Sequence, residues 1–266
     1  MKAILFLVVL CCTAHLWGQT ADDYRADAEN GDPKAQHKLG ACYFYGYGVN
    51  KDLTEAAKWI RKSAEQDFAA AQCNLGAFYK MGYGLDIDLD EAVKWTRKSA
   101  DQGYDNAQYN LGIFYYTGDG VNKDLDEAMK WIRKSAEQDF PDAQCFIGFC
   151  YYSGDGVIKD FDEAAKWFRK SADQGFAAAQ FNMGICCFNG YGVNKNTDEA
   201  ITWYEKSAEQ EYADAQFTLG YCYYYGEGID RDEDAALYWL RKARMNEDKL
   251  SDDNQMACRQ ILEELE

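Results

Sequence analysis

The residues after Asp88 carry a helical period. Ala92, Trp95, Thr96, Ser99 and Ala100 recur at i, i+3, i+4, i+7 and i+8, while Lys94, Arg97 and Lys98 fall on the other faces. This pattern predicts an amphipathic helix that buries one stripe and solvates the rest. Asp88 stands ahead of it as a capping carboxylate with Glu91 three residues on, and Arg97-Lys98 falls near the far end, so both ends match the helix dipole. The next segment reads differently. Ala107, Leu111, Tyr115 and Gly118 share one face of a wheel, with Phe114 beside them, and Tyr109, Ile113 and Tyr116 fill the opposite face. A helix apolar on both sides is usually buried on both. It is expected to stop at Gly118, which supplies a left-handed terminal residue.

The same two-helix pattern returns every 36 residues without slippage. Ala-Gln begins at Ala35, Ala71, Ala107, Ala143, Ala179 and Ala215. A Leu, Ile or Met followed by glycine ends at Gly40, Gly76, Gly112, Gly148, Gly184 and Gly220. Gly-x-Gly starts at Gly46, Gly82, Gly118, Gly154, Gly190 and Gly226, and tryptophan recurs at Trp59, Trp95, Trp131, Trp167, Trp203 and Trp239. Capping openings equivalent to Asp88 occur at Asp52, Asp124, Asp160, Asn196 and Asp232. The two prolines, Pro33 and Pro141, occupy one repeat position suited to a first helical turn. Such self-similarity predicts a solenoid, in which stacking of neighbours supplies the core that no single unit can build. Function is then expected on a surface that several repeats make jointly. A Gly-x-Gly could also suggest a phosphate cradle, but here it follows a helix, recurs six times and lacks the last glycine of a dinucleotide motif.

The order Ala-Gln-x-x-Leu-Gly-x-x-Tyr-x-x-Gly-x-Gly-Val, an Asp, then Glu-Ala-x-x-Trp-x-x-Lys-Ser-Ala resembles the Sel-1-like repeat, a longer relative of the tetratricopeptide repeat. The resemblance covers about residues 32 to 243 in six copies in phase. It implies an all-α fold, a right-handed superhelix of antiparallel helix pairs with the first helices lining the inner surface. It also implies an adaptor, since members serve in signalling, in endoplasmic-reticulum quality control and in bacterial contacts with hosts. The domain reading is therefore a signal peptide at 1–18, an N-terminal cap at 19–31, six repeats at 32–247 and a C-terminal capping helix at 248–266.

On that reading the second face of each first helix looks into the superhelix groove. The residues expected to bind a partner there are Tyr109, Ile113, Tyr116, Phe149, Tyr152, Phe181, Phe188, Phe217, Tyr221 and Tyr224. Aromatic side chains of this kind are the usual anchors of polypeptide interfaces.

The first residues stand apart from the repeats. Lys2, an apolar run from Ala3 to Cys12 and the stretch Thr13 to Gly18 have the form of a signal peptide, too short to span a bilayer. Cleavage is expected near Gly18, with Ala14 next, and Leu10 weakens a lipoprotein reading through Cys11. The ending Glu263-Glu264-Leu265-Glu266 is not a retention tetrapeptide, so secretion or a secretory-pathway lumen is the expected destination. Removing residues 1–18 takes away Lys2 alone among the charges, leaving 27 basic against 45 acidic side chains, a net of −18. Such a surface repels nucleic acid and anionic membranes and suits a basic or amphipathic polypeptide, although the excess acid also serves solubility.

Eight cysteines remain after signal removal: Cys42, Cys73, Cys145, Cys150, Cys186, Cys187, Cys222 and Cys258. An even count in a secreted chain suggests disulfides. Yet Cys150, Cys186, Cys222 and Cys258 share one position on successive parallel helices, about 8–10 Å apart, beyond the span of about 4.4–6.8 Å that a disulfide bridges. Phe78 and Phe114 hold that position elsewhere, so these thiols read as core. The disulfide that the resemblance implies in some bacterial members would fall at Ala64 and Gln72, and so does not transfer.

Catalysis finds little support. With His15 in the signal, His37 is the one remaining histidine, so no histidine-based metal cluster is expected. Penicillin-binding relatives would imply Ser-x-x-Lys, which occurs nowhere. In Asp86-Ile-Asp88-Leu-Asp90, Glu91 holds the glycine place and Arg97 the final-ligand place of a calcium loop, so that reading fails. The expectation is a scaffold without cofactor, metal or catalytic residues that binds a protein or peptide. The alternatives are a lumenal quality-control adaptor and a beta-lactamase-like hydrolase.

Overall fold

A computed structural model describes residues 20–265; the expected signal peptide lies outside the described residues. Among these residues there are fourteen α-helices and no strand. They fall into two compact units, 20–138 and 139–265. The first holds α1 (Ala21–Glu29), α2 (Pro33–Tyr45), α3 (Leu53–Ala64), α4 (Ala69–Met81), α5 (Leu89–Asp101), α6 (Asp105–Thr117) and α7 (Leu125–Ala136). The second holds α8 (Pro141–Ser153), α9 (Phe161–Asp173), α10 (Ala177–Asn189), α11 (Thr197–Glu209), α12 (Ala213–Tyr225), α13 (Glu233–Met245), a single 3-10 turn at Glu247–Lys249 and α14 (Asp252–Leu265). Within each unit a first helix packs on the second helix of its own repeat and on that of the repeat before, as α4 does with α5 and α3.

Local chemistry sets the ends of these helices. Asp52, Asp88, Asp124, Asp160, Asn196 and Asp232 each accept main-chain N–H bonds at the start of a second helix, satisfying donors the helix itself cannot. Each first helix ends on a left-handed glycine, Gly46 through Gly226. The second glycine of the loop serves a close approach instead. A Cβ on Gly192, whose φ is +67°, would lie 1.9 Å from the carbonyl oxygen of Phe161, so only glycine lets this loop rest on the start of α9.

The core is a chain of small and large side chains rather than a centre. In 139–265 one cluster joins Ala164, Phe168, Met183, Cys186, Ala200, Tyr204, Leu219 and Cys222. The predicted stripe of α5 is buried throughout. On the outer wall the tryptophan of each repeat is roofed by a lysine three residues on, from Lys62 over Trp59 at 4.0 Å to Lys242 over Trp239 at 5.2 Å. The basic residues of the second helices thus cover apolar surface with their stems.

Candidate functional site

The second face of the first helices changes character along the chain. Tyr109, Ile113 and Tyr116 of α6 are buried, at 5, 1 and 9 % exposure. In 139–265, Phe149 and Tyr152 of α8, Phe181 and Phe188 of α10, and Tyr221 and Tyr224 of α12 are half-buried. Phe217 departs from the expected open surface. It is buried because α14 lays Cys258, Ile261 and Leu262 into the same cluster, against which Tyr221 and Tyr224 also pack. The Tyr224 hydroxyl donates to Glu264 Oε2 at 2.5 Å, and Asn254 Nδ2 donates to Asp214 Oδ1 at 3.1 Å. α14 therefore packs on α12 and α13 and covers part of the expected surface.

Near the C-terminal ends of the first helices the aromatics have partners that the pattern of apolar residues did not indicate. The left-handed turn folds the chain back, so that the side chain five residues beyond the capping glycine lies over the ring two residues before it. Lys51 lies over Phe44 at 5.6 Å, Lys123 over Tyr116 at 5.4 Å, Lys159 over Tyr152 at 5.9 Å, Lys195 over Phe188 at 5.7 Å and Arg231 over Tyr224 at 5.8 Å. These are cation–π distances. The second repeat exchanges the two types: Lys80 holds the ring position and Ile87 the cation position. Lys80 reaches Asp119 at 3.1 Å and lies over the Phe114 ring at 4.7 Å. Burial lowers its pKa, and the bond to Asp119 opposes that shift. The exchange was visible in the sequence as a reversal of residue type at two places in one repeat.

In 139–265 the ring of Tyr152 belongs to a larger cluster. Its centroid lies 5.4 Å from that of Phe161 and 5.9 Å from that of Tyr191, and Phe161 stacks on Tyr191 at 4.6 Å. Lys159 also lies over Phe161, at 4.6 Å. Beside it Ile158 is 91 % exposed, where other repeats place Asn or Asp.

Burial shifts several titratable groups. His37 is held neutral, its pKa lowered to about 4 by burial, and Asn74 Nδ2 meets its Nε2 at 2.7 Å. Asp142 near the start of α8 is pushed up to about 6, again by burial. All eight cysteines among the described residues are buried, with Cys145, Cys150 and Cys186 raised to about 12 by desolvation. Among the described residues no three His, Cys, Asp or Glu side chains converge to hold a metal, and no helix is long and apolar enough to cross a membrane.

The Sel1 repeat matches this chain six times, at residues 33–68, 69–104, 105–140, 141–176, 177–212 and 213–248. The chain belongs to the Sel1 repeat family. Its structure is similar to that of a protective antigen of uropathogenic Escherichia coli strains with an SLR fold, at a TM-score of 0.76 and 35% identity over 92% of this chain. This chain spans about half, 52%, of that protein. It is likewise similar to a Sel1 repeat protein of Oxalobacter formigenes, at a TM-score of 0.75 and 34% identity over 88% of this chain and 90% of the other. Comparison of the sequence with curated proteins finds no match. Sel1 repeat proteins act generally as scaffolds for protein–protein interaction, and this Sel1 repeat chain has the helix pairs of such a scaffold.

Proposed function

We propose that this Sel1 repeat protein is a secreted or lumenal scaffold without catalytic activity, binding a protein or peptide on the second face of its first helices. The observation that carries this reading is the half-buried aromatic series Phe149, Tyr152, Phe181 and Phe188, which α14 leaves uncovered. Core packing alone does not call for rings of this size left partly open at recurring positions, whereas interface anchors are of this kind. The apolar run Ala3 to Cys12 supports export.

The test is the double variant Tyr152→Ala with Phe188→Ala. Affinity capture by the wild-type chain and by the variant, each read by mass spectrometry, is paired with melting curves of both. The expected outcome is loss of a specific captured polypeptide with a small change in melting temperature, because anchors contribute roughly 2 kcal/mol or more each at an interface. Unchanged capture with a large fall in melting temperature would make the series core and end the proposal, since buried aromatics truncated to alanine cost about 3–5 kcal/mol.

A further inference from the structure

The cations that lie over the inner-face rings stand out in a chain of net charge −17. Among the described residues Lys159 and Lys195 have no carboxylate within ion-pair distance, whereas Arg231 is held by Glu233 at 2.7 Å. Of the outer-wall lysines, Lys58, Lys94, Lys130 and Lys166 each pair with a glutamate on their own helix at 2.5–2.7 Å, and Lys62, Lys98, Lys134 and Lys170 lie over tryptophan rings. The acid next to Lys159, Asp160, is engaged as the cap of α9, accepting from Asp162 N and Glu163 N at 2.9 and 3.0 Å; beside Lys195 that place is Asn196, and the nearest acid in sequence is Asp198. Asp142 stands ten residues before Tyr152 on α8, roughly 15 Å along the axis and beyond a Debye length of about 8 Å at physiological salt. Residues 139–265 thus present two exposed, unneutralised ammonium groups, Lys159 over the Tyr152–Phe161–Tyr191 cluster next to the exposed Ile158, and Lys195 over Phe188 one repeat on.

We infer that this edge receives an extended acidic segment of a partner polypeptide, with carboxylates on Lys159 and Lys195 and apolar side chains on Tyr152, Tyr191 and Ile158. This rests on the scaffold reading above and assigns the chemistry of its ligand. Neighbouring first helices lie on the order of 10 Å apart, and an extended polyproline-type segment advances about 3.1 Å per residue with a threefold repeat. Every third residue then meets the next repeat. The net charge sets the kind of anion: a continuous polyanion would run against the acid elsewhere on the chain, while a few carboxylates find local cations.

The test is fluorescence anisotropy of the full chain with labelled peptides of about twelve residues repeating Glu-Ile-Pro, Gln-Ile-Pro or Lys-Ile-Pro, each held extended by its prolines. The Glu-Ile-Pro peptide is expected to bind most tightly and to weaken as salt is raised. Lys159→Glu with Lys195→Glu should weaken it about tenfold, the scale set by two exposed ion pairs reversed in sign. Lys166→Glu on the outer wall should leave it unchanged, and circular dichroism should be the same for every variant. Preference for the Lys-Ile-Pro peptide, equal binding of all three, no binding, or insensitivity to the double reversal would overturn the inference. The first two of those outcomes leave the scaffold reading standing, because that reading is decided by capture with the Tyr152 and Phe188 variant.

Discussion

The side-chain amide of Gln72 donates to the carbonyl oxygen of Ala64 at 3.2 Å, tying the first helix of one repeat to the end of the second helix before it. Its own oxygen accepts from Gln102 Nε2 at 2.7 Å, so one buried glutamine joins three helices. The relation recurs from Gln36 to Ala28 at 3.1 Å and from Gln216 to Ala208 at 3.2 Å. Ala64 and Gln72 are the positions where some bacterial relatives were expected to carry a disulfide, and here a hydrogen bond spans that junction.

Gln72→Ala should therefore destabilise the chain by about 1 kcal/mol, because it removes the bond that ties α4 to the end of α3, while the Ala64 carbonyl keeps Asp67 N at 3.1 Å and the exposed Gln102 amide turns to water. Gln72→Glu should do no better, since a carboxylate cannot donate to Ala64. Denaturant unfolding followed by circular dichroism measures both. Wild-type stability in Gln72→Ala would show that stacking of the helices alone holds the register.

These residues were legible in the sequence because each acts through geometry that every repeat shares. Gln72, the capping Asp88 and the glycines recur at 36-residue intervals since each unit needs the same bond, cap or turn. Individual repeats also carry exceptions. Lys80 and Ile87 exchange types, Cys187 replaces a tyrosine that Arg61 and Arg97 bind in other repeats at 2.7 and 2.6 Å, and Arg169 turns to Glu199 at 3.0 Å instead. Helical periodicity placed Phe217 on the open face but carried no signal that α14 would cover it, because that contact joins residues forty apart in sequence.

The two classes of left-handed glycine should separate under substitution. Gly175, with φ +90°, has nothing within 4 Å of an added Cβ, so Gly175→Ala should cost about 1–2 kcal/mol from backbone conformation alone. Gly192→Ala adds a clash with the Phe161 carbonyl, 1.9 Å from the Cβ position, and should cost clearly more or abolish folding. Equal melting temperatures for the two variants would show that the loop over α9 yields.

The thiols should be unreactive while the chain is folded. Desolvation raises Cys145, Cys150 and Cys186 to about 12 and Cys187, Cys222 and Cys258 to about 11, so little nucleophilic thiolate exists near neutral pH. Maleimide labelling of these positions is expected only after denaturation, with all eight described cysteines then modified. Four disulfides found by non-reducing peptide mapping would contradict the structure.

Two titratable groups, the buried His37 and the half-buried Asp142, should pull the stability of the chain in opposite directions as pH falls. His37 is held neutral with a pKa of about 4 against an ordinary 6.5, so the unfolded chain binds its proton first, and stability is lost as pH drops through that window. The loss at pH 5 is about 2 kcal/mol relative to pH 7.5. Asp142 is raised to about 6 from 3.8, so the folded chain takes up its proton first, and stability from this group is gained as pH falls through about 6 toward 4. Replacing each group removes its own slope: His37→Gln should lose less stability than wild type between pH 7.5 and pH 5, and Asp142→Asn should lose more. Unfolding free energies of the three proteins at both pH values decide it. A His37→Gln chain as acid-sensitive as wild type would mean that the imidazole is charged in the folded chain and that its contact with Asn74 is made differently.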